Sequence, residues 1–167
     1  LYGWNRITPR AHLWAGVAVA VSGAVSGVFV VIANAWMNAP RGFTLAGGVP
    51  TDIDPLLAMT TPAAIPQALH MTLAAYAGTG FAVAGIHAFF LRRQGRGSFH
   101  RQALGIARRM AIPAALLQPL SGDLSAKTVA VLQPAKLAAM EGQFTTERGA
   151  PLRIGGWPDE EAATTRL

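Results

Sequence analysis

The sequence has 167 residues, with 14 Lys+Arg against 8 Asp+Glu and a formal net charge of +6. Only 13% of residues are charged and 51% are hydrophobic, whereas an ordinary soluble domain is roughly one quarter charged. That balance excludes intrinsic disorder and argues against a soluble globule. No cysteine is present, so disulfide frameworks, thiolate metal sites and thiol nucleophiles are excluded. Arg residues gather at the ends of apolar runs and lack the interleaved aromatics of a nucleic-acid surface. No nucleic-acid partner is expected. The opening Leu1-Tyr2-Gly3-Trp4 shows no charged segment leading into an apolar one, so no secretory leader is expected. With the first methionine at Met37, the sequence reads as an internal piece of a longer protein.

Residues 1–10 form a basic lead-in carrying Arg6 and Arg10. An uncharged apolar stretch follows, long enough to cross a bilayer, and a helix is expected over 11–37. Pro9 suits its first turn and Trp36 its interfacial end. Gly16, Ala20, Gly23 and Gly27 share one face at a spacing that lets helices approach closely in lipid. Residues 38–64 read as an outer loop. The next uncharged run contains Pro62 and Pro66, which place a second spanning helix at 65–91. A basic loop over 92–101 holds Arg92, Arg93, Arg96 and Arg101. A third span is expected over 102–121. It is the shortest apolar run, since only Met110 to Gly122 separate Arg109 from Asp123, and it requires Arg108 and Arg109 to snorkel. Residues 122–167 read as a water-facing segment with one short helix, broken later by Gly149, Pro151, Gly155, Gly156 and Pro158. The fold expected is all-α: a polytopic transmembrane bundle fragment of three spans plus a short amphipathic outer helix.

Charge orients the spans. The lead-in and the 92–101 loop are basic, while the 38–64 loop balances Arg41 with Asp52 and Asp54. The positive-inside rule puts the first two inside and the 38–64 loop and the tail outside.

Four histidines are candidates for chemistry. His100 reads as a solvated loop residue, and His12 and His87 as interfacial ones. His70 differs, because it lies one turn after Pro66 within a span, where an ionisable side chain is costly and functional by default. Ala74, Ala77 and Gly78 share its face and leave room for a flat macrocycle, and histidine is a standard axial ligand of haem iron. A buried histidine hydrogen-bonded to a neighbouring helix is the open alternative. His70 and His87 are about 25 Å apart along a helix, so one haem cannot use both. A second constellation is Gln133-Pro134-Ala135-Lys136-Leu137-Ala138-Ala139-Met140-Glu141. Pro134 opens a helix, Leu137, Met140 and Phe144 form an apolar stripe, and Lys136 and Glu141 lie at its edges. A quinol needs such a flat apolar bed, a donor and a base. An amphipathic surface helix accounts for the same pattern. Asp123 reads either as a partly buried acid or as a helix end. No P-loop, GxGxxG, HExxH or GxSxG motif is present.

The ordered strings Gly3-Trp4, Asn34-Ala35-Trp36-Met37-Asn38-Ala39-Pro40, Ala68-Leu69-His70-Met71, Gly122-Asp123, Gln133 to Glu141 and Arg148-Gly149-Ala150-Pro151-Leu152 resemble subunit I of cytochrome bd quinol oxidase. The resemblance spans nearly the whole chain. It implies a piece covering the fourth to sixth helices and the start of the so-called Q-loop. It further implies that His70 ligates the low-spin haem b, and that Lys136 and Glu141 act in quinol oxidation, with Gln133 and Asp123 as weaker candidates. The full-length subunit is then expected to carry a high-spin haem b and haem d for dioxygen reduction, using cytoplasmic protons. Its partners would be membrane lipid, quinol, the remaining helices of the subunit and subunit II, in the bacterial plasma (inner) membrane. The other haem ligands of the family lie outside this stretch, so the fragment alone is expected to be inactive. Competing readings are a non-enzymatic haem-binding membrane anchor and a transporter fragment with His70 and Asp123 as intramembrane polar sites.

Overall fold

The computed structural model describes residues 3, 5–94, 97–150 and 155–166. Leu1, Tyr2, Trp4, Arg96, Pro151 and Leu152, which entered the readings above, lie outside the described residues.

Three long helices dominate: α1 (Pro9–Asn38), α3 (Ala64–Gln94) and α4 (Ser98–Leu132). Thr8 caps α1, its Oγ1 accepting from Ala11 N at 3.3 Å, with Pro9 in the first turn. That arrangement satisfies an orphan donor and places a residue that needs no partner. Between α1 and α3 the chain folds into a hairpin, β1 (Thr44–Ala46) and β2 (Val49–Thr51), and a short helix α2 (Pro55–Met59). Gly47 and Gly48 both have positive φ, as the tight hairpin turn demands. Gly42 is also left-handed, and a Cβ there would meet Asp54 O at 2.6 Å and Ala58 N at 2.7 Å. The residues read as a loop over 38–64 are therefore a folded cap.

α3 and α4 form the tightest pair and run antiparallel. Gly80 makes this possible, because a Cβ there would meet Ala111 Cβ at 2.7 Å and Ala107 O at 3.2 Å. Ala84, Ala107, Ala111 and Ala114 are buried along the same seam. Small residues let two backbones approach where no water is excluded between them. The small-residue stripe of α1 makes no such approach among the described residues. Gly16, Gly23 and Gly27 have no contact within 4 Å of a built Cβ among the described residues. Ala20, Gly23 and Gly27 instead line an open apolar cleft of about 970 Å³ between α1, α3 and α4. α1 meets α3 chiefly at one end, where Ala35, Ala63 and Ala64 are buried with Ile32 against them.

α4 is longer than the sequence suggests. It begins at Ser98, incorporating His100, and continues past Asp123 to Leu132 with Pro113 and Pro119 inside it. Each proline removes one backbone donor and crowds the preceding turn, a cost that helices packed on a neighbour can absorb. Beyond Gln133 a short helix α5 (Pro134–Met140) ends at Glu141, and Gly142 turns left-handed. Phe144 thus lies outside the helix, so the expected apolar stripe stops at Met140. The tail adds a second unforeseen hairpin, β3 (Trp157–Asp159) and β4 (Thr164–Arg166), in which Arg166 pairs with Asp159. Thr165 Oγ1 ties it back by donating to Gly142 O at 2.7 Å.

Among the described residues two helices, Pro9–Asn38 and Ala64–Arg93, are long and apolar enough to cross a membrane. Each leaves apolar side chains bare: Val19 on α1 is 72% exposed and Ile65 on α3 76%.

Candidate functional site

His70 sits in the second turn of α3, half-buried against α4. Its Nδ1 lies 3.1 Å from Ser121 Oγ, and its Nε2 lies 3.2 Å from Gln118 Nε2. Gly122 makes room beside the ring, since a Cβ there would stand 3.5 Å from His70 Cε1. Gln118 Oε1 is buried with no partner among the described residues. An orphaned buried oxygen is expensive, so this pocket is polar beyond what its own side chains satisfy. The ring fits an axial ligand. Nδ1 is anchored on Ser121, while the Gln118 amide nitrogen, 3.3 Å from Nδ1 and 3.2 Å from Nε2, lies over the ring face and leaves the in-plane side of Nε2 uncovered by it. Gly78, on the same face of α3, has open space around it.

Lys136, Gln133 and Asn38 meet at the same end of the bundle. Gln133 Nε2 donates to Asn38 O at 2.8 Å and to Asn38 Oδ1 at 3.2 Å. Lys136 Nζ donates to Asn38 Oδ1 at 3.3 Å. Asn38 is itself oriented, its Nδ2 donating to Asn34 O at 2.7 Å. A small crevice beside this contact is lined by Gln67, three residues before His70, and by Thr128 and Leu132. The start of α5, the last turn of α1 and the His70 end of α3 are therefore neighbours. Glu141 caps α5 and is exposed. At about 100° per residue, Lys136 and Glu141 flank the Leu137 and Met140 stripe from either side.

Asp123 is neither a buried acid nor a helix end. It lies within α4 and pairs with Lys127 at 2.7 Å, both side chains mostly exposed. Such a one-turn surface pair contributes only a few tenths of a kcal/mol. His100 is not a solvated loop residue either. In the first turn of α4 its Nδ1 lies 2.8 Å from His87 Nδ1, and its ring stacks on Phe90 at 5.2 Å. His70 and His87 engage opposite ends of α4. Sequence reasoning missed Ser121, Gln118 and Asn38. Only Asn38 carried a signal, as part of the Trp36-Met37-Asn38-Ala39-Pro40 string.

Comparison with known proteins agrees with this architecture. The chain is 35% identical over 163 residues to the putative cytochrome bd menaquinol oxidase subunit I of Bacillus subtilis (strain 168), covering 95% of this chain and 37% of that one. It is 30% identical over 169 residues to the cytochrome bd-II ubiquinol oxidase subunit 1 of Escherichia coli (strain K12), covering 96% and 32%. The solved bd oxidase of Geobacillus thermodenitrificans superposes with a TM-score of 0.82 at 37% identity, over 96% of this chain and 37% of that chain. The chain thus spans about a third of the length of the curated relatives it matches. The family model described as "Cytochrome bd terminal oxidase subunit I" matches residues 1–167. This chain, with its helical fold, belongs to that family of terminal oxidase subunits.

Proposed function

We propose that the chain is the quinol-facing part of a respiratory quinol:oxygen oxidoreductase. It binds quinol at the outer membrane face through Lys136 and Glu141, and His70 holds a low-spin haem b. Electrons then continue to an oxygen-reducing centre of high-spin haem b and haem d in the rest of the subunit. The observation that carries this reading is His70: one ring nitrogen anchored on Ser121 and the amide of Gln118 over the ring face, inside a family of terminal oxidases. A haem there supplies a one-electron relay.

The chain's own residues account for the rest. Quinol oxidation releases two electrons and two protons. Glu141 is an exposed carboxylate beside the Leu137 and Met140 stripe, so it is suited to take a proton from the quinol hydroxyl. Lys136, steadied by Asn38, supplies positive charge beside the developing phenolate oxygen. Gln133 holds the start of α5 on α1. The names of the relatives, a menaquinol and a ubiquinol oxidase, support quinol as the substrate class. The reading places the protein in the bacterial plasma membrane as a multi-pass subunit, with α4 as a third span and residues 122–167 outside. Its partners there are lipid, the remaining helices of the same subunit and subunit II. The bare apolar faces of α1 suit such neighbours.

The test is a quinol-reduced minus oxidised spectrum of the full-length oxidase carrying His70→Ala. The low-spin b band is expected to vanish; a band unchanged in size and position overturns the assignment. For the quinol site, Glu141→Ala is expected to lower quinol oxidation by about 100-fold or more, in the range for loss of a proton acceptor. Oxygen reduction from an artificial donor should persist. Equal loss with both donors would remove the quinol-specific role.

A further inference from the structure

We infer that Ser121 is a positioning residue for His70: it holds the ring in the tautomer in which Nδ1 carries the proton and Nε2 presents the bare lone pair. The inference rests on the reading that His70 holds haem iron.

The hydrogen bonds of Ser121 favour one tautomer. A serine hydroxyl has a single proton. Ser121 Oγ lies 2.9 Å from the carbonyl of Gln118, the nearer of its two neighbours and one that can only accept. The hydroxyl proton is best used there. Ser121 Oγ then faces His70 Nδ1 at 3.1 Å with a lone pair, so Nδ1 must be the donor. Ser121 is only 4% exposed, so water is poorly placed to offer an alternative. The Gln118 amide nitrogen lies 3.2 Å from His70 Nε2 and 3.3 Å from Nδ1. Near-equal distances to both ring nitrogens put it over the ring face, off the in-plane axis of the Nε2 lone pair. Its directed bond is to the backbone, donated to His70 O at 3.4 Å.

This arrangement has a chemical consequence. A ligating histidine that donates its other ring N–H is held in orientation and made a stronger donor to its metal. Here the acceptor is a neutral hydroxyl from the adjacent helix. Gln118 lies over the ring face and so leaves the Nε2 lone pair to a metal, were one held there. Ser121 can keep its bond throughout, because it acts on the opposite nitrogen.

The experiment compares two near-isosteric variants in the full-length oxidase. Ser121→Thr keeps the hydroxyl, whereas Ser121→Val removes it at the same shape and is apolar enough for a buried helix position. Haem content and the midpoint potential of the low-spin haem b are measured by spectroelectrochemical titration. Ser121→Thr is expected to match the native protein. Ser121→Val is expected to raise the potential, because a less electron-rich imidazole stabilises the oxidised iron less. It should also weaken haem retention by about 10-fold, the lower end for loss of such a partner. Identical potentials and haem content for Thr and Val would overturn the inference. His70→Ala is the separating control. If it leaves the low-spin band intact, the haem assignment itself fails; if it abolishes the band while Thr and Val behave alike, only the role of Ser121 fails.

Discussion

Single residues decide how α5 is held. Asn38 receives Lys136 on its side-chain oxygen and Gln133 on both its backbone and side-chain oxygens. Asn38→Ala leaves the backbone acceptor and removes the other, a loss of about 1 kcal/mol for each bond of ordinary strength. Lys136 would then be free to wander. The expected outcome is a several-fold rise in KM for quinol, with artificial-donor turnover retained. Asn38→Asp, which keeps an acceptor, should stay closer to native. A steady-state comparison of the three proteins checks this, and a native KM in Asn38→Ala would count against the anchoring role. The sequence revealed the two ends of this contact unequally. Lys136 and Glu141 stood out because charge on an apolar stripe is conspicuous, and His70 because an ionisable group in an apolar run is rare. Ser121 and Gln118 carried no such mark. They reach His70 across 51 and 48 residues of chain, and nothing in the composition of one helix says which side chains of another will face it.

At the scale of elements, proline and glycine were the readable signals, and packing was not. Pro9, Pro55 and Pro134 each open a helix, as the first-turn rule predicts. Inside α4 charge misled instead. Asp123, bounding the apolar run, suggested an ending near residue 121, yet the helix continues to Leu132 with Pro113 and Pro119 inside it. Asp123 and Lys127 sit one turn apart on its exposed surface, so charge there marks a solvated face and not a terminus. The glycine stripe on α1 makes no close approach among the described residues. The close approach is made by Gly80 on α3 against Ala107 and Ala111 on α4. Because the atoms met include Ala111 Cα at 3.1 Å, the neighbour cannot yield by a simple rotamer change. Gly80→Ala should destabilise the α3–α4 pair by about 1–3 kcal/mol, and Gly80→Val by more. Thermal inactivation of the assembled oxidase would show the graded loss. If all three proteins share one inactivation curve, the seam is not where the helices are held.

For the whole molecule, the open question of architecture is whether α4 crosses the membrane. Two helices pass on length and hydropathy, whereas α4 carries Arg101, Arg108 and Arg109 near one end and Asp123 and Lys127 towards the other. At 35 residues it is about 50 Å long, well beyond the roughly 30 Å of bilayer hydrocarbon. The stretch from Arg109 to Asp123 covers only about 21 Å of that length, so a crossing requires Arg108 and Arg109 to snorkel to the interface. Antiparallel packing on α3 supports such a crossing. His70 meets Ser121 at one end and His87 meets His100 at the other, so α4 follows α3 along the length of that span. The absence of cysteine from this stretch makes the point testable. Ser98→Cys would mark the start of α4, and Thr146→Cys the segment after α5, both exposed positions. With any cysteines elsewhere in the subunit replaced, a membrane-impermeant maleimide should label Thr146→Cys in intact spheroplasts. It should label Ser98→Cys only in inverted vesicles. Labelling of both from one side would mean that α4 does not cross. Labelling with the sides exchanged would put Lys136 and Glu141 in the cytoplasm and overturn quinol oxidation at the outer face.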